Sequence, residues 1–152
     1  MRIITVLAAA SLAACSHSGG GNETAAADTG NATAAPGSAL SGEAGFALAA
    51  DCSAKLRSLA RLYTVLADKS SGADRDDLVK RASSRDQAAD AFRQIAEKVG
   101  GEIGRGPDGA AEAIKAADAA VQNEFDKRPL EDFASWVGDE VDTKCRKALS
   151  EA

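Results

Sequence analysis

An all-α domain, a small antiparallel four-helix bundle behind a disordered N-terminal tether, is the fold that three features of this 152-residue sequence predict. From Phe46 onward, four stretches carry apolar residues at steps of three and four, the period of a helix buried along one face. The breaks between them are short, which favours neighbouring antiparallel helices. No stretch alternates apolar and polar residues with the period of two that a half-buried strand needs.

Residues 16–45 come first. They hold Gly, Ala, Ser, Thr and Asn, with Leu40 the only large apolar side chain before Phe46. Such a stretch buries too little surface to offset the entropy of ordering it, so it reads as a flexible tether with a root-mean-square span of about 30 Å. In the first helical stretch Leu48, Cys52, Leu56, Leu59, Tyr63 and Leu66 draw one stripe, ended by Ser70, Ser71 and Gly72. Asp74, Asp76 and Asp77 suit a new helix N-terminus through the dipole. The second stretch carries Leu78, Ala82, Ala89, Phe92, Ile95 and Val99. Ser84-Arg85-Asp86-Gln87 fits a capping box, which sets a break near Ser83 against one continuous helix; the continuous helix is the reading adopted.

Gly100, Gly101, Gly104, Gly106 and Gly109 then suggest a glycine-rich connection, and Pro107 suits a first helical position. Ile114, Ala117, Val121 and Phe125 form the third stripe. Pro129 sets a boundary because it pushes Arg128 out of helical geometry. The last stripe is Leu130, Phe133, Val137, Val141, Cys145 and Ala148 or Leu149. Glu131 and Asp132 stand in its first turn and Lys144, Arg146 and Lys147 near its end, matching the helix dipole at both termini.

The chain opens Met1-Arg2-Ile3-Ile4-Thr5-Val6-Leu7-Ala8-Ala9-Ala10-Ser11, followed by Leu12-Ala13-Ala14-Cys15. A basic start, a short apolar run and small residues before a cut make residues 1–14 a secretory signal peptide, too short to span a bilayer. The last four residues resemble the lipobox of bacterial lipoproteins. That resemblance covers residues 1–15 and implies cleavage before Cys15, a diacylglyceryl thioether on its sulfur, and attachment to the cell-envelope membrane. By similarity to the enterobacterial sorting pattern, Ser16 in place of Asp after the cysteine implies the outer membrane, facing the periplasm. The divisions are thus residues 1–14 signal, 15–45 lipidated cysteine and tether, and 46–152 helical domain.

Removal of 14 of the 152 residues leaves 138, enough for one modest domain. Loss of Arg2 leaves 17 of the 18 basic residues against 23 acidic ones, a net charge of −6. That balance argues against nucleic acid and against electrostatic adhesion to anionic lipid, so the membrane contact is the covalent lipid on Cys15. With Cys15 lipidated, Cys52 and Cys145 remain as a pair in an oxidising compartment. An up-and-down bundle sets the start of the first helix beside the end of the fourth, which brings these two together. The alternative is two free buried thiols, each acting as a small hydrophobe.

Little in the rest of the chain suggests catalysis. His17 is the single histidine and lies in the tether, where no rigid element holds an imidazole. Glu-x-x-His pairs and Cys-x-x-Cys-His are absent, so no metal or cofactor is expected. Gly104-Arg105-Gly106-Pro107-Asp108-Gly109 matches a dinucleotide fingerprint in letters, but no strand precedes it. Asp74-Arg75-Asp76-Asp77 begins like a calcium loop and lacks its glycine and its final acid. Asp139, Glu140 and Asp142 read as a solvated face, and Arg57, Arg61, Lys80, Arg81 and Arg93 as scattered surface cations. Trp136, at the edge of the last stripe, covers the core margin or meets a partner.

The expected role is therefore non-enzymatic: a lipid-anchored envelope protein whose helical domain binds or scaffolds another envelope component. An envelope chaperone or stress protein is the alternative, and a carboxylate-based enzyme a third. Cys15→Ser is expected to leave unprocessed precursor and to abolish incorporation of labelled fatty acid; normal maturation after Ala14 in the variant would overturn the lipobox reading.

Overall fold

The computed structural model describes residues 38–150, and every described element is helical. Helix α1 spans Gly42–Asp68, α2 Gly72–Glu102, α3 Gly106–Lys127 and α4 Leu130–Glu140. A π-helical turn, Val141–Cys145, carries α4 into α5, Arg146–Ser150, so the last two helices form one rod and the fold has four. No described helix is long and apolar enough to cross a membrane. Residues 1–37, including Cys15, the signal-like segment and most of the tether, lie outside the described residues.

Helix α1 starts at Gly42, four residues before the expected domain boundary, and Leu40 is buried in the main core. A turn returns the chain here: the Ser41 N–H and hydroxyl both donate to the Ser38 carbonyl, at 3.1 and 2.8 Å. The expectation that nothing in residues 16–45 packs therefore fails at Leu40. Average composition hid it, because one leucine folded back by a turn is enough to cover the end of a helix.

Helix α2 runs unbroken through Ser83, which faces solvent beside buried Ala82. The glycine-rich connection is shorter than the sequence suggested, because α2 continues through Gly100 and Gly101 and only Ile103–Arg105 separates it from α3. Gly100 serves close packing, since a Cβ there would stand 2.9 Å from the Phe46 ring. Gly104, at φ +79°, supplies the left-handed residue of a Schellman-type end, with the Arg105 N–H on the Gly100 carbonyl at 2.8 Å and the Gly104 N–H on Gly101 at 3.2 Å. Pro107 stands in the first turn of α3, and Arg128 is extended before Pro129.

Helix α1 touches α2, α3 and the α4 rod, whereas α2 and α4 have no close backbone approach. The core gathers on it: Cys52, Leu56 and Leu59 meet Ala89, Phe92, Val121, Phe133, Val137 and Val141. A smaller cluster of Phe46, Val99 and Ala110 closes the other end. In the last rod Phe133, Val137, Val141, Cys145 and Ala148 are buried, and Leu149 is exposed. Three consecutive steps of four would drift around a regular helix by about 40° each. The wider π turn, with the Arg146 N–H on the Val141 carbonyl, returns Cys145 and Ala148 to the buried side.

Cys52 and Cys145, 93 positions apart in sequence, are joined as a disulfide with Cα atoms 5.6 Å apart. A cross-link closing so long a loop restricts the unfolded chain strongly. Replacing both cysteines with alanine is expected to destabilise the domain by about 2–4 kcal/mol while preserving its helical circular dichroism. Two free-thiol peptides in a non-reduced digest of the wild-type protein would contradict the bridge.

Candidate functional site

The C-terminal half of α1 places Ser58, Arg61, Leu62, Val65, Leu66 and Lys69 at steps of three and four, on one face. Opposite stand Gln122 and Phe125 from α3 and Leu130 and Phe133 from α4. Together they line an open groove of about 320 Å³. Pro129 creates it, because the helix break makes the chain turn before α4 and leaves Leu130 beside Phe125 instead of in the core. Phe133 is its buried floor, meeting Phe125 edge-to-face at 5.0 Å and 90°.

Four large apolar side chains in this lining are exposed: Val65 at 48%, Leu66 at 38%, Phe125 at 42% and Leu130 at 47%. Single exposed leucines need no explanation; here four large apolar side chains stand around one concavity. Arg61 and Lys69 are the only charged lining residues, and neither forms an ion pair with a described residue. A chain with a net charge of −5 thus presents a groove whose two charged lining residues are both cations.

A second arrangement lies on the same helix. Lys55 is buried, and its Nζ is 2.7 Å from both Asp51 Oδ2 and Glu140 Oε2. Glu140 also takes Lys144 at 2.6 Å. Burial pulls the Lys55 ammonium toward its neutral form, but hydrogen bonds from Nζ to Asp51 and Glu140, with their charges, outweigh this and hold its pKa above the ordinary lysine value. Burial likewise pushes Glu140 up, and hydrogen bonds from Lys144 and Lys55 outweigh it, lowering its pKa below the usual carboxylate range. A lysine held charged in this way is a poor nucleophile; its chemistry here is cohesion between α1 and α4.

Trp136 is half-buried beside this cluster. Its ring takes Lys55 Nζ at 5.6 Å and the Arg128 guanidinium at 5.2 Å, and it stacks obliquely on Phe133 at 5.7 Å. It lines a separate shallow depression with Asp51, Lys55 and Glu124, not the apolar groove. Cys52 and Cys145 are buried. Asp139 and Asp142 are exposed as expected, but Glu140 is not part of a solvated face, because a buried cation across the helix pair needs its charge. Among the described residues no group of His, Cys, Asp and Glu is arranged to hold a metal ion.

Sequence reasoning missed Lys55 and the groove. The signal for Lys55 was its place between Cys52, Leu56 and Leu59 on the buried stripe. The signal for the groove was the width of the apolar face at Leu62, Val65 and Leu66, more than one neighbouring helix can cover.

The two shifts set a stability window. Glu140, with a lowered folded pKa, contributes fully above the ordinary carboxylate pKa and ceases to contribute as pH falls through its folded value. Lys55, with a raised one, contributes fully below the ordinary lysine pKa and is lost as pH rises through its folded value. Glu140→Gln is expected to lose about 1–2 kcal/mol near neutral pH. Urea unfolding on stepwise acidification should show that difference from wild type shrinking toward zero.

No family model, curated protein or solved structure matches this chain.

Proposed function

We propose that this chain is a lipid-anchored cell-envelope protein, held to the membrane through Cys15, whose helical domain binds or scaffolds another envelope component through the groove of α1, α3 and α4. The observation that carries the reading is the contiguous exposure of Val65, Leu66, Phe125 and Leu130 around a buried floor. The anchor side rests on the lipobox-like residues Leu12-Ala13-Ala14-Cys15, and the outer membrane facing the periplasm on Ser16.

The domain reads as an antiparallel four-helix bundle. Phe46 stands beside Gly100 and the Ser53 hydroxyl donates to the Ala89 carbonyl at 2.9 Å, so rising numbers in α1 meet falling numbers in α2. Cys52 with Cys145 and Lys55 with Glu140 support the same sense for the last rod. Non-enzymatic action fits a domain whose most enclosed ion, Lys55, is neutralised by its own neighbours.

The test is photo-crosslinking in intact cells with a reactive side chain at position 66, and at position 149 as a somewhat more exposed apolar control outside the groove. A discrete adduct at 66, absent at 149, is the expected result; equal labelling, or none at 66, would overturn the binding reading. The same exposed apolar surface also favours an envelope chaperone as the second reading. In that case the position-66 probe gives a smear of many clients instead of one product.

A further inference from the structure

Ser58 to Lys69 is eleven helical rises, so the groove runs for roughly 16 Å along α1. Its polar residues other than Lys69 sit toward one end. Arg57 of α1 reaches Asp118 of α3 at 4.0 Å, which sets residues 58–61 of α1 level with the start of the α3 lining at Gln122. Ser58, Arg61 and Gln122 therefore mark one end, and Leu62, Val65, Leu66, Phe125 and Leu130 continue away from it over Phe133.

The backbone within the groove is helical and offers no edge for a strand. Among the described residues no buried side-chain polar atom lacks a partner, so the interior makes no demand for a polar ligand. An apolar trough whose charged lining residues are both cations, with Arg61 among the polar residues Ser58 and Gln122, complements an anionic amphiphile. The nearby carboxylate of Asp118 is matched by Arg57, whereas Arg61 has no anionic partner among the described residues. Lys69 stands at the far end, next to exposed Asp68, and its stem extends the apolar wall.

We propose that this groove is a binding site for a free medium-chain fatty acid, with the hydrocarbon laid along Leu62, Val65, Leu66, Phe125 and Leu130 and the carboxylate received by Arg61. The assignment rests on the binding-domain reading and names its ligand class. A planar guanidinium can take a carboxylate through two parallel hydrogen bonds, which a fatty alcohol of equal length cannot match.

The test is titration of the full chain with laurate, below its micelle concentration, and with dodecan-1-ol, followed by methyl NMR. Laurate is expected to bind saturably at one site, with shifts confined to Leu62, Val65, Leu66 and Leu130. The alcohol should bind about tenfold more weakly. Arg61→Gln should weaken laurate by about tenfold and leave the alcohol unchanged, while Lys69→Gln changes either by less than about twofold. Leu66→Glu alters an exposed position, leaves the fold intact and should abolish binding of both. Absence of saturable binding, equal affinity for acid and alcohol, or indifference to Arg61→Gln overturns the proposal. So does self-association by sedimentation that Leu66→Glu abolishes, since a second copy then fills the groove. If laurate fails while position 66 still crosslinks to a discrete envelope protein, the fatty-acid assignment falls and the binding reading stands; if both fail, both fall.

Discussion

Between Ala49 and Ala60 the first helix has neighbours on almost every side, and the other helices are arranged around that crowding. Five consecutive residues, Cys52 to Leu56, are buried, which no helix with a single apolar face can achieve. Small side chains make it possible. Ala49, Ala50, Ser53, Ala54 and Ala60 let other backbones come close, and the Ser53 hydroxyl meets its bonding requirement on the Ala89 carbonyl of α2. The alanine-rich composition that looks thin along each stripe is what a central helix requires.

Crowding also explains the charge inside. With α1 covered on almost every side here, Lys55 is only 6% exposed and takes its counter-ions from the protein. Asp51, one turn back, supplies the first and Glu140 of α4 the second. The second is specific to the fold, because it needs α4 at one level and one rotation relative to α1. The disulfide imposes the same condition from Cys52, one turn away on the same helix. A covalent link and an ionic one therefore fix a single seam, and Trp136 covers its edge with Lys55 and Arg128 on its ring.

The helices were legible because each announces its period and its ends: Pro107 and Pro129 mark boundaries, and Ser70-Ser71-Gly72 closes α1. Other features were hidden by what a one-helix reading assumes. Glycines count as loop formers, yet Gly100 lies within α2, where the Phe46 ring leaves little room for a Cβ. Leu40 was averaged into a polar tether, although a turn at Ser38–Ser41 folds it onto the core. Leu66 and Leu130 fell on buried stripes, but both stripes outrun the helices that cover them, and the surplus lines the groove. Burial of Lys55 could not be read from α1 alone, since it depends on where α4 lies.

The π turn lets the last rod carry one residue more than a regular helix would hold between its two contacts with α1. Lys55 and Cys52 are three residues apart on α1, but their partners Glu140 and Cys145 are five apart. In a regular helix five residues rotate the chain by about 500°, leaving such a pair some 140° apart around the axis. The widened turn narrows that angle enough for both to reach the same neighbour. Deleting one residue from 141–144 would restore ordinary helical bonding and leave Glu140 and Cys145 four apart, about 40° around the axis, so both would still face α1. Making the backbone regular without shortening it would instead turn the two to different sides, and the ion pair and the disulfide could then not both form. The seam thus depends on matching the length of this segment to its helical pitch, not on the residues of its outer side.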